Sequence, residues 1–171
     1  METVTDVQRP AELLIGDERE ILANLLDRHR ATLLWKCEGL DDARLRRRSV
    51  PPSQLSLFDL LRHLTGAERY WFQVCLDGRR DLRPLYLTTA DGEIDDSDPT
   101  PLGGVVENFR AACAESRRVL AAHSLDEVVP SVVAAGPVNG RYIGWHMVEE
   151  YARHNGHADL LRESIDGATG E

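Results

Sequence analysis

Trp145-His146-Met147-Val148-Glu149-Glu150-Tyr151-Ala152-Arg153-His154-Asn155-Gly156-His157 reads as a helix whose apolar face carries an acid and a base. With His146 at zero and a turn of about 100° per residue, Ile143 and Leu161 fall at about 60°, Met147 and Ile165 at about 100°, and Ala158 at about 120°. These residues mark the face that enters a core. Glu150 falls at about 40° and His154 at about 80°, so both point along that face. Glu149 and Arg153 lie off it, solvated or paired with each other, and His146 and His157 sit on its edge. A carboxylate taken out of water needs a partner. Glu and His four residues apart project side by side, about 6 Å along the axis, and offer oxygen and imidazole nitrogen to one divalent ion. That donor pair suits Zn²⁺, Ni²⁺ or Fe²⁺. A buried Glu–His hydrogen bond, or Glu150 paired with Arg62 or Arg141, satisfies the helix equally, and spacing alone does not separate these readings.

Helical spacing recurs along the rest of the chain. Leu22, Leu25, Leu26, Leu33 and Cys37 predict a helix over 17–38, with Gly39 as its stop. Leu57, Leu60, Leu61, Leu64, Trp71 and Cys75 predict a second over 57–77, opened by Ser56 with Asp59 in a capping-box position. A third begins with Thr100 as N-cap and Pro101 at the first helical position and runs to His123. The fourth spans 143–165, with Gly167 beyond it. The segment 46–53, with Pro51-Pro52, reads as a linker. The segment 79–100 reads as a long irregular connection. Val128 to Arg141, with Asn139-Gly140, reads as a loop that can hold a short hairpin. Four helices of about 30 Å each make an all-α four-helix bundle, with 1–171 as one domain.

Composition narrows the function classes. The chain has 171 residues, a formal net charge of −9 and 42% hydrophobic residues. An acidic balance argues against a phosphate-backbone binder, so no nucleic-acid partner is expected, and Arg44-Leu45-Arg46-Arg47-Arg48 reads as a solvated linker face. No apolar run reaches the roughly 18 residues a membrane span needs, and no secretory signal is legible; the expectation is a cytoplasmic protein with no membrane partner. Cys37, Cys75 and Cys113 are isolated and form no CxxC, which indicates neither a disulfide framework nor a thiolate zinc site.

A third ligand for a metal at Glu150 and His154 has to come from another helix. His63, in Leu60-Leu61-Arg62-His63-Leu64, shares a helix face with Ala67, Tyr70 and Val74 beside the leucine stripe and is the candidate. Three protein ligands leave positions open for water or substrate, the arrangement of a catalytic site.

Leu61-Arg62-His63-Leu64 together with the run from His146 to Glu163 resembles the DinB-like superfamily, and within it the DUF664 type. The resemblance covers nearly the whole chain, including Lys36-Cys37-Glu38-Gly39-Leu40. It implies a bundle with up-down-down-up connectivity and a divalent metal held by one residue of the second helix and two of the last. The superfamily motif of His, then His-x₃-His-x-Gly, falls on His63, Glu150, His154 and Gly156, with Glu150 in place of the first His of the pair. That departure is similar to the mycothiol-dependent maleylpyruvate isomerase branch. With Glu171 as the last residue, the expectation is a chain without the additional C-terminal domain of those isomerases. The resemblance implies a metal-dependent S-transferase or isomerase that uses a low-molecular-weight thiol, of mycothiol type, as co-substrate against a small electrophilic substrate; it also implies a homodimer. A metal-dependent hydrolase, a non-catalytic metal-stabilised bundle or stress-related binding protein, and a dimeric helical module without metal are the alternatives.

Further polar residues are candidates for a supporting or substrate-binding role. His29 lies in the first leucine stripe, as an extra ligand, a general base or a satisfied core histidine. Glu68 lies on the Leu61–Leu64–Cys75 face and either orients a ligand histidine or pairs with a buried Arg. Arg141 and Tyr142 precede the last helix and are candidates for contact with an anionic substrate. His146 and His157 flank the proposed ligands. Trp35, Trp71, Trp145 and Tyr151 read as core or interface residues. His123 reads as a helix-end residue that favours the dipole.

Overall fold

The computed structural model describes residues 3–82, 100–131 and 134–170. Helix α1 (Glu18–Cys37) starts where the Asp17 carboxylate accepts a hydrogen bond from the Glu20 amide and the Glu20 carboxylate accepts one from the Asp17 amide. It stops at Glu38 and at Gly39, whose φ of 74° suits glycine. The guanidinium of Arg162 donates to the carbonyls of Lys36 and Glu38, satisfying the helix end. The basic segment that follows is not all solvated linker. Asp41 caps a single turn, α2 (Asp42–Leu45), which buries Leu45 completely. Arg46 lies over the Phe58 ring and donates to the Thr100 carbonyl.

Helix α3 (Leu57–Glu68) opens at Ser56, whose hydroxyl accepts from the Asp59 amide at 3.1 Å. The segment predicted as α-helix to residue 77 changes its winding after Glu68 and continues as a π-helical stretch, Arg69–Leu76. Most of the irregular connection expected over 79–100, including Asp91-Gly92 and Asp98-Pro99, lies outside the described residues. Helix α4 (Leu102–Ala122) has Pro101 at its N-cap, one residue later than the expected Thr100 cap. Strands β1 (Val128–Val129) and β2 (Val138–Asn139) pair antiparallel, Val128 opposite Asn139 and Val129 opposite Val138. Helix α5 (Gly140–Asp166) starts three residues before the expected 143, because the Asn139 side chain accepts from the Tyr142 amide at 2.8 Å. Asn139-Gly140 is thus a helix start and not a hairpin turn. Gly140 is required there, since a Cβ would stand 2.6 Å from the Ser124 carbonyl oxygen.

The helices close around Leu22, Leu26 and Leu33 of α1, Leu57, Phe58, Leu60, Leu61 and Leu64 of α3, Phe72, Phe109 of α4, and Ile143, Met147, Tyr151 and Ala158 of α5. This is the all-α bundle the apolar stripes predict. Helix α1 packs mainly along α5, and α3 lies against both α4 and α5. Gly144 permits the closest approach of α1, for a Cβ there would meet Leu22 Cδ2 at 2.5 Å. All three cysteines are buried thiols. No described helix is long and apolar enough to cross a membrane.

Candidate metal centre

Helix α3 presents His63 and helix α5 presents Glu150 and His154 to one point. One ligand atom from each lies within 4.8 Å of the others. Glu150 Oε2 stands 3.4 Å from His63 Nε2 and 3.4 Å from His154 Nε2. The two imidazole rings meet edge to face, their centroids 4.6 Å apart. Both separations from the carboxylate are long for a hydrogen bond to nitrogen, which clusters at about 2.9–3.0 Å. These two separations suit neighbouring donors of a tetrahedral ion, where bonds of about 2.0–2.1 Å place ligand atoms about 3.3–3.4 Å apart, while the three donors together lie within 4.8 Å. The donor set, two imidazoles and a carboxylate, fits Zn²⁺, Ni²⁺ or Fe²⁺.

Charge states agree with that use. Burial works against ionising Glu150. The long polar contact from His63 and the charges of His154, His63 and His146 outweigh it, so the carboxyl sits below its ordinary value. Burial, then the neighbouring His63, press His154 down to about 4 despite the pull of Glu150. At neutral pH the site therefore offers an ionised oxygen and a neutral imidazole lone pair. His157 Nδ1 stands 3.3 Å from His154 Nδ1, so the far side of the His154 ring has a partner and Nε2 faces Glu150. The site is open on the α3 side: the His63 side chain is 44% exposed, against 16% for Glu150 and 15% for His154.

His146, one turn before Glu150, lies at the rim. Its Nε2 is 3.9 Å from Glu150 Oε1, and its ring is held between Trp71, at 4.6 Å, and Tyr142, stacked at 5.6 Å. The π-helical winding after Glu68 carries Trp71 to this position. Arg153 approaches Glu150 Oε1 at 3.8 Å, on the solvent side.

Other candidates are engaged elsewhere. His29 Nδ1 is 3.2 Å from the Asn155 amide nitrogen, which also donates to the His29 carbonyl, and its ring stacks near Tyr151. Burial and the charges of Arg28 and Arg9 lower its pKa, as befits a neutral histidine at the core edge. Arg141 binds Glu18 at 2.8 Å and Asp126 at 2.5 Å, so it holds the start of α5 to α1 and to the turn before β1. His123 bridges Asp77 and Glu127.

Glu68 faces an arginine, not a ligand imidazole. Its carboxylate is fully buried and accepts from Arg30 Nε at 2.7 Å, Arg30 Nη2 at 2.9 Å and the Tyr151 hydroxyl at 2.7 Å. Arg30 is the polar group that sequence reasoning passed over, whereas Tyr151, read as a core or interface residue, is fully buried as expected. The signal was present, since Leu22, Leu26, Arg30 and Leu33 share one stripe. An arginine on an apolar face demands a buried carboxylate.

Residues 21–167 match the family model described as mycothiol S-transferase, a span that contains His63, Glu150 and His154. No curated protein matches the chain. The bundle, the site it builds and that match agree: the chain belongs to the mycothiol S-transferase family, of the DinB-like type.

Proposed function

We propose that this protein is a divalent-metal-dependent S-transferase that joins a low-molecular-weight thiol of mycothiol type to a small electrophile. His63, Glu150 and His154 would hold the metal, Zn²⁺, Ni²⁺ or Fe²⁺. The observation that carries this reading is the 3.4 Å spacing of both imidazole nitrogens from one carboxylate oxygen. A bound divalent ion would lower the pKa of a thiol that reaches it and so supply thiolate at neutral pH.

The chain's own groups do the rest. Glu150 offsets part of the ion's charge. His63, on the exposed side, marks the mouth through which thiol and electrophile arrive. His146, braced by Trp71 and Tyr142 at the rim of the site, is a base outside the ligand set and takes the thiol proton. The thiolate sulfur then bonds to the electrophilic carbon, and the leaving group departs with the electron pair of the bond it breaks. The reading includes a single domain with up-down-down-up connectivity. It also includes a cytoplasmic setting, where the three unpaired cysteines and a thiol co-substrate stay reduced.

The test is thiol consumption with an activated aryl halide or an epoxide, with and without chelator, for wild type and His63→Ala. The expected result is turnover that chelator abolishes, that a divalent ion restores, and that His63→Ala lacks. Turnover indifferent to chelator, or freshly purified protein without a stoichiometric divalent ion, would refute it. Water adding to the electrophile in place of thiol would show the hydrolase chemistry of the same site.

A further inference from the structure

We propose that the buried Arg30–Glu68–Tyr151 network sets the rotation of the two helices that carry the metal ligands. Its members are then positioning residues for the metal centre. The inference rests on the metal reading above and concerns how the site is held.

The ligands come from separate helices, and the backbone hydrogen bonds of each helix leave their mutual rotation free. Metal sites are strict about this. A rotation of about 10° moves a side-chain tip about 5 Å from the helix axis by about 1 Å. Metal–ligand distances hold to about 0.2 Å. Something close to the ligands has to hold α3 against α5.

The network stands in that place. Glu68 is five residues past His63, about 7.5 Å along α3 and about 140° round it, so it points into the core while His63 faces the open edge. Tyr151 follows Glu150 directly. Its hydroxyl donates to Glu68 Oε1 at 2.7 Å, which joins the two ligand-bearing helices on their inner side. Glu68 cannot swing, because the Arg30 fork occupies both its oxygens. Arg30 in turn binds Asp27 at 2.8 Å, and Asp27 accepts from Arg117 of α4 at 2.7 Å. The Glu68 carbonyl, where α winding gives way to π, accepts from the Ser116 hydroxyl of α4. Glu68 of α3 thus meets α1 and α5 through its carboxylate and α4 through its backbone carbonyl.

Glu68 and Tyr151 are 0% exposed and Arg30 is 3% exposed. A buried ion pair is a poor source of net stability compared with apolar residues of the same volume, and its best-attested use is to fix registry. The hydrogen bond at Tyr151 falls beside a metal ligand, where registry has a chemical consequence.

The decisive variant is Tyr151→Phe, which removes one hydroxyl and keeps the ring. Zn²⁺ titration calorimetry on the metal-free full chain gives affinity, Co²⁺ absorption reports coordination geometry, and the melting temperature of the metal-free protein reports stability. We expect Zn²⁺ affinity to fall about tenfold, the size of effect seen when supporting hydrogen bonds of metal sites are removed. The Co²⁺ spectrum changes, and the metal-free melting temperature falls by a few degrees. Leu45→Ala, a core truncation in α2, lowers the melting temperature and leaves affinity alone. Arg30→Lys keeps the charge but loses the fork, and gives the same affinity loss if Tyr151→Phe does not yield folded protein.

Affinity within twofold of wild type in both network variants overturns the inference and leaves the metal reading standing. Wild type that binds no stoichiometric Zn²⁺ while His154→Ala behaves identically sinks the metal reading, and the inference with it.

Discussion

Replacing Glu68 by Leu leaves the Arg30 guanidinium buried, with Asp27 as its remaining carboxylate among the described contacts, and removes the acceptor of the Tyr151 hydroxyl. Replacing Arg30 by Met strands the carboxylate instead, with the Tyr151 hydroxyl as its remaining donor among those contacts. Breaking a buried pair from one side costs about 3–5 kcal/mol, because the surviving charge is uncompensated. For a chain of this length each kcal/mol moves the melting temperature by about 2–4 °C, so each single variant should melt about 6–20 °C lower. The double variant, Arg30→Met with Glu68→Leu, removes both charges and fills the space with apolar atoms. What it still loses is the Tyr151 partner and the Arg30–Asp27 contact, a cost of about 1–3 kcal/mol. The double variant should therefore be more stable than either single one, with a coupling energy of at least about 2 kcal/mol. Urea unfolding of the four proteins, analysed with a common slope, closes the cycle. Additive losses, with the double variant as unstable as the two singles summed, would refute the idea that the two charges compensate each other.

Three further outcomes follow from the structure. In protein saturated with Zn²⁺ at about a hundred times its dissociation constant, the metal adds about 2.7 kcal/mol of stability, or about 5–10 °C; chelator removes this from wild type, and His154→Ala never has it in thermal melts. Partial burial opposes the charge on His123, but its bonds to Glu127 and Asp77 raise its pKa above 6.5. Its stabilisation is then full below pH 6.5 and drains as pH rises through the raised folded value, so the melting-temperature gap between wild type and His123→Ala should narrow from pH 5.5 to pH 8. Gly140→Ala drives a Cβ to 2.6 Å from the Ser124 carbonyl oxygen, a backbone atom that cannot retreat, and should cost about 1–3 kcal/mol in urea unfolding.

The long helices were legible because they rest on local periodicity, and the same periodicity, with the family resemblance, singled out the three candidate ligands. Leu22, Leu26 and Leu33, or Ile143, Met147 and Ala158, repeat at a spacing that only one secondary structure turns into a face. Glu150 and His154 stood out as the polar exceptions to such a face, and His63 as the imidazole nearest a second one. The π-helical stretch was not legible. Between Arg69 and Leu76 almost every residue is apolar or aromatic, so a shift of hydrogen bonding by one residue leaves the stripe looking the same. The turn at α2 was announced by Asp41, but the run of arginines after it drew the reading toward a solvated linker. Glu68 was open between two partners because a contact with Arg30, 38 positions away, has no local signature. Arg141 shows the converse: its expected place ahead of the last helix suggested an anion, but it lies in the first turn of α5 and its actual partners, Glu18 and Asp126, are set by how α1 and the β1 turn pack.

His63 and Glu150 stand 87 positions apart along the chain. An ion shared between them would tie that length into a ring, and a ring removes freedom from the disordered polypeptide more than it strengthens the ordered one. The lifetime of the protein would then follow the supply of its metal. In a starved cell the same polypeptide would open more often and be cleared by proteases sooner, so its abundance would fall before its chemistry was called upon.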